Sequence, residues 1–155
     1  MFVLPDAALS EILLAIEGDT NIFPAGFVMR LFTNDFTPDN QSVIGDFTEL
    51  TNVEVPGYAA VAIVWDGTPI RSQLGQWDDF ATDAPFAMTG APPGDQAVYG
   101  WYMTDAANTA LVASGRLAAP FTFHAVGDGL RLEPRLSIIE QTGTDYLLQA
   151  DVEQS

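Results

Sequence analysis

The residues Pro56-Gly57-Tyr58-Ala59-Ala60-Val61-Ala62-Ile63-Val64-Trp65 form the longest uninterrupted apolar run in the chain. The run carries no charge and, past its opening Pro-Gly turn, no helical stripe, which is the pattern of a strand covered by protein on both faces. Such a segment predicts an all-β chain, built as a two-sheet sandwich or jelly roll with 56–65 as its central strand. A length of 155 residues suits a single domain, 1–155, with a core large enough to need no metal or cross-link.

The flanking sequence fits that class. Phe27 to Thr33 alternates like a strand, with Arg30 in its middle expected to pair with an acid. Asn34 to Asp46 is a long polar loop of the kind that often carries function. Phe47 to Leu50 is expected to pack on the core edge, Ile70 to Trp77 alternates imperfectly, and Pro85-Phe86-Ala87-Met88 reads as an edge strand. Ala97–Thr104 and Ala110–Leu117 predict a hairpin around the polar tip 105–109, with Gly100 leaving room for a ring to lie on the backbone. Pro120–Phe123 reads as a short strand, and Leu130–Ile138 as a strand with one wet face, with Pro134 placed on the wet set and favouring an edge or bulge. The strands number about eight, within 27–138.

Only one helix is expected. Asp6 can cap it, Leu9, Ile12, Leu13 and Ile16 follow at helical spacing, and Gly18 ends it, so 6–17 makes one short N-terminal helix. Its apolar stripe must cover either the chain's own sheet or a partner's surface. At the other end, 140–155 reads as a tail that frays from Asp151 onward, with Tyr146, Leu147 and Leu148 its only sticky residues. Leu9, Ile12, Leu13, Ile16, Tyr146 and Leu147 are therefore the candidate partner-binding residues.

Charge removes whole classes of function. The net charge is −16, all five basic residues being Arg, so no basic patch exists to neutralise phosphates and neither nucleic acid nor an anionic membrane is an expected partner. The N-terminus lacks the basic start of a secretory signal, and no apolar run approaches the roughly 20 residues that span a bilayer, so a soluble protein is expected. Without cysteine, thiol nucleophiles and thiolate metal sites are excluded.

Catalytic and ligand-binding constellations are sparse. His124 is the only histidine, and Ser10, Ser42, Ser72, Ser114 and Ser137 lie in no nucleophile-elbow context, so no enzyme is expected and no catalytic residue is assigned. Asp78, Asp79 and Asp83 are weak candidates for calcium, set against the simpler reading of solvated loop acids, and no cofactor is expected. Trp65, Trp77, Trp101, Tyr58, Tyr99 and Tyr102 would either line a sugar platform or fill the core.

Several segments resemble a known class. Arg30-Leu31-Phe32-Thr33-Asn34-Asp35-Phe36-Thr37-Pro38, Asp46-Phe47-Thr48-Glu49, Pro56–Val61, Tyr99-Gly100-Trp101-Tyr102, Pro120-Phe121-Thr122 and Gly127–Pro134 follow one another as in small virion-associated proteins of tailed bacteriophages. The resemblance covers about residues 27–138 and implies a capsid cement or decoration protein on the virion exterior. Such a protein clamps the major capsid protein, often as a homotrimer, and has no catalytic residues to carry over. A receptor- or glycan-binding fibre-tip module is the alternative.

Overall fold

The structure is a computed structural model that describes the backbone of residues 2–3, 26–64, 70–71, 77–80, 83–140 and 146–154, and the side chains of 26–64 and 83–134. The expected helix at 6–17, with Leu9, Ile12, Leu13 and Ile16, lies outside the described residues, as does Trp65. Within them the chain is all-β, with two antiparallel sheets. Ten strands are described: β1 (Phe2–Val3), β2 (Phe27–Phe32), β3 (Val61–Ile63), β4 (Ile70–Arg71), β5 (Trp77–Phe80), β6 (Ala84–Ala87), β7 (Gln96–Asp105), β8 (Leu111–Phe123), β9 (Gly129–Glu140) and β10 (Tyr146–Gln154). The first sheet runs β1-β8-β7-β2-β3, and the second runs β10-β9-β5-β4 with β6 also paired to β9. No closed barrel or jelly-roll arrangement forms among the described residues.

One core joins the sheets. Met29, Leu31, Trp101 and Val112 from the first sheet meet Ala84, Phe86, Leu130 and Leu132 from the second, and Val98 and Phe123 are fully buried with them. The alternation of β2 and β7 sends the intervening residues to the opposite face. There Phe32, Tyr102 and Leu111 form a second, smaller core with Phe47 from the loop that follows β2. Around β2 and β7 both faces of the first sheet are thus covered, one by the other sheet and one by the chain's own loop.

The apolar run at 56–65 is not the central strand. Only Val61–Ile63 is extended into a ladder, it pairs with β2 alone at the sheet edge, and Val64 is 60% exposed. The run is apolar because Tyr58 and Ile63 enter the core, while small alanines such as Ala62 face solvent at little cost. The interior places go to β8, β7 and β2 in the first sheet and to β9 and β5 in the second; the longest of them, β7, β8 and β9, are interrupted by polar residues and glycine.

Four further expectations change. Pro120–Phe123 is the continuation of β8, separated from its first half by a register shift where Val98 pairs Phe121 and Gly100 pairs Arg116. Ile70 and Trp77 belong to two different strands, β4 and β5, paired with each other. Pro134 is buried, not on a wet face, and β9 is an interior strand. Its position explains the tolerance: β6 pairs β9 at 129–132 and β5 resumes at 135–138, so Pro134 falls in the gap between two neighbours where a missing N–H breaks no ladder on that side. Finally, 146–154 is not a fraying tail but β10, in antiparallel register with β9 from Tyr146↔Glu140 to Gln154↔Leu132.

Candidate functional site

The loop after β2 is the most elaborated surface among the described residues. It begins by extending the edge of β2 where β3 stops: Thr33 N donates to Thr48 O (2.9 Å), Leu50 N donates to Leu31 O (2.9 Å), and Glu49 bridges Phe32. Asn34 ties its two ends, donating from Nδ2 to Asp46 O and accepting from Thr48 N, each at 2.8 Å. Its turns are closed by carboxylates. Asp39 Oδ1 accepts from Gln41 N, Asp46 Oδ2 from Val43 N, and Glu54 Oε2 from Thr51 N. A 3₁₀ turn at Ile44–Asp46 brings Phe47 down onto the sheet. There its ring stacks on Tyr102 at 4.7 Å and meets Phe36 edge-on at 5.5 Å.

Two arginines pin this loop. Arg116, on β8, reaches over the Tyr99 ring, donates to Phe36 O at 2.8 Å and forms an ion pair with Asp35. Arg30, on β2, places Nε 3.6 Å from Glu49 Oε2, so the acid expected for it is the one that bridges the neighbouring strand residue. Glu49 also accepts from the hydroxyls of Tyr58 and Tyr102, each at 3.3 Å, and Tyr58 Oη accepts in turn from Leu31 N. Burial is the main reason both phenols are held well above the ordinary tyrosine range, with the Glu49 charge adding to it. These tyrosines are therefore neutral donors that hold Glu49 in place.

The remaining candidates do not converge. Asp83 is paired with Arg131 at 3.2 Å, and Asp78 and Asp79 are successive positions on β5. No cluster of three or more potential metal ligands occurs among the described residues. His124 Nδ1 lies 3.0 Å from Asp95 Oδ1 on an exposed surface, while Ser42 and Ser114 are buried elsewhere. A sugar platform would need open ring faces, but Trp101 is 3% exposed, Tyr102 2% and Tyr58 7%, with Trp101 lying against Gly115. Tyr146 and Leu147 open β10, opposite Glu140 and Ile139, at the outer edge of the second sheet. No helix among the described residues is long and apolar enough to cross a membrane.

The sequence makes legible an acid partner for Arg30 and a long loop at 34–46, but not Glu49 as the hub. Its partners Arg30, Tyr58 and Tyr102 lie far apart along the chain, so no local spacing signals it. The Thr-x-x-Glu spacing at 51–54 is the one legible signal, since Glu54 closes that turn. Comparison with known proteins matches no family model, no curated protein and no solved structure.

Proposed function

We propose that this chain is a structural virion protein, a cement or decoration protein that binds the major capsid protein on the capsid exterior as a homotrimer. In that role the two sheets form a β-sandwich whose work is mechanical. The observation that carries the reading is the use of polar groups in the loop at 33–58. Its carboxylates close turns or face arginines, and none is free to meet another over an open cleft. A gripping surface benefits from loops ordered before contact, because less conformational entropy is lost on docking. The order of the segments that resemble phage virion proteins supplies the partner. Apolar or cation-screened contacts would have to hold a trimer of such acidic subunits together.

Cosedimentation tests the proposal. Purified protein is mixed with shells assembled from the major capsid protein of the same genome and pelleted. Binding at fixed stoichiometry, with a solution mass near three times 16.7 kDa by light scattering, is expected. Protein left wholly in the supernatant at saturating concentration would overturn the capsid assignment.

A further inference from the structure

Among the residues whose side chains are described, several acids are satisfied in a way that brings no counter-charge. In the stretches whose side chains are described, Glu49, Asp35 and Asp83 face arginines, and Asp95 faces the lone histidine. Asp39, Asp46, Glu54, Asp105 and Asp128 are instead anchored on backbone N–H groups. An amide N–H fills a carboxylate's lone pairs, but it brings no cation. In the β9–β10 ladder Glu133 and Glu153 are register partners. With a net charge of −16 and no lysine, folding gathers uncompensated negative charge that the extended chain spreads out.

We propose that the fold is conditional on salt: the chain is built for a medium of roughly molar monovalent salt, where mobile cations supply the counter-charge that lysines would supply. The length scales decide this. A domain of this size has a radius of gyration of about 15 Å. The screening length is about 10 Å at 0.1 M salt and about 3 Å at 1 M. At the lower concentration acids on neighbouring turns repel one another across the surface; at the higher one only touching charges do.

Thermal unfolding followed by tryptophan fluorescence tests the proposal. Between about 0.1 and 1 M KCl the midpoint is expected to rise by about 10 °C or, if the chain is unfolded at low salt, folding is expected to appear on adding KCl. Sucrose of matched osmolality should not reproduce the rise. A variant carrying Asn40→Lys, Val53→Lys, Val126→Lys and Glu133→Lys adds four positive charges and removes one negative charge at positions outside the buried core, taking the net charge from −16 to −16 + 5 = −11. Its salt-dependent rise should be about half as large, because self-repulsion grows with the square of net charge. A midpoint that is flat or falling with KCl overturns the proposal. So does an equal rise in sucrose, which would mean solvent exclusion, or an undiminished rise in the folded variant.

Discussion

Glu49 shows how one side chain can organise a whole loop. Arg30 is largely buried, its side chain only 13% exposed, and Glu49 is the counter-charge beside it and the shared acceptor of two buried phenols. Removing one partner of a buried ion pair costs about 3–5 kcal/mol, and the 37% exposure of Glu49 brings the expectation for Glu49→Ala down to about 2 kcal/mol. Urea unfolding checks this, and the double variant Arg30→Met, Glu49→Ala should recover part of the loss because no buried charge is left alone. A Glu49→Ala protein as stable as the parent would mean that the pair is only a surface contact. Gly100 is constrained by space and not by its backbone angles. A Cβ there would overlap both the Gly115 carbonyl oxygen and the Phe32 ring, and a carbonyl in a central ladder cannot yield as a flexible side chain can. Gly100→Ala should therefore cost about 1–3 kcal/mol and lower the melting midpoint by about 5 °C, measured calorimetrically. An unchanged midpoint would mean that the strands separate there freely.

At the scale of elements, the loop at 33–47 is a strap fastened over the outer face of the first sheet, and Arg116 is the fastening farthest from it in sequence. Arg116→Ala should leave the sheets intact and loosen the strap. Hydrogen exchange is expected to speed up by about tenfold at the amides of 36–47, while β7 and β8 keep their protection. Uniformly faster exchange would instead make Arg116 part of the global core. The elements most legible in the sequence were those whose signals are local. The hairpin around 105–109 is set by its polar tip, where Asp105 accepts from Thr109 N at 2.6 Å and Ala110 N at 2.8 Å and Asn108 adopts φ 57°. The edge strand at 85–88 is set by Pro85, whose missing donor faces no partner. What was not legible depends on pairing across the chain. Nothing near Pro134 announces that β6 ends and β5 begins on either side of it, and nothing in 146–154 announces a partner until β9 is laid beside it. The run at 56–65 misled because continuous apolarity fits an edge segment with small residues outward as well as a buried strand, and periodicity alone does not distinguish them.

Over the whole molecule, pH acts through two opposed effects, and their signs can be worked out. Protonating acids lowers the net charge and relieves self-repulsion, which favours the fold as pH falls. Against this, Asp105 and Asp128 are held below the ordinary aspartate range, Asp105 chiefly by the Ala110 N–H and Asp128 chiefly by the Ala125 N–H, then by His124 N–H. Because each binds its proton more weakly folded than unfolded, the unfolded chain takes up more protons as pH drops. The stability these turns contribute is present above the unfolded aspartate pKa, about 3.9, and is lost as pH falls through their lower folded values. Salt separates the two effects: in 1 M KCl repulsion is already screened, so the turn carboxylates should dominate and the urea midpoint should fall steadily below about pH 4. The double variant Asp105→Asn, Asp128→Asn keeps an oxygen acceptor at each turn but cannot titrate. It should start less stable at pH 6 and show a shallower acid decline than the parent. If its decline is as steep, the acid sensitivity belongs to other carboxylates. In low salt the relief of repulsion should blunt the parent's decline, so a steeper fall in low salt than in high would mean that the turn carboxylates outweigh the charge of the whole surface.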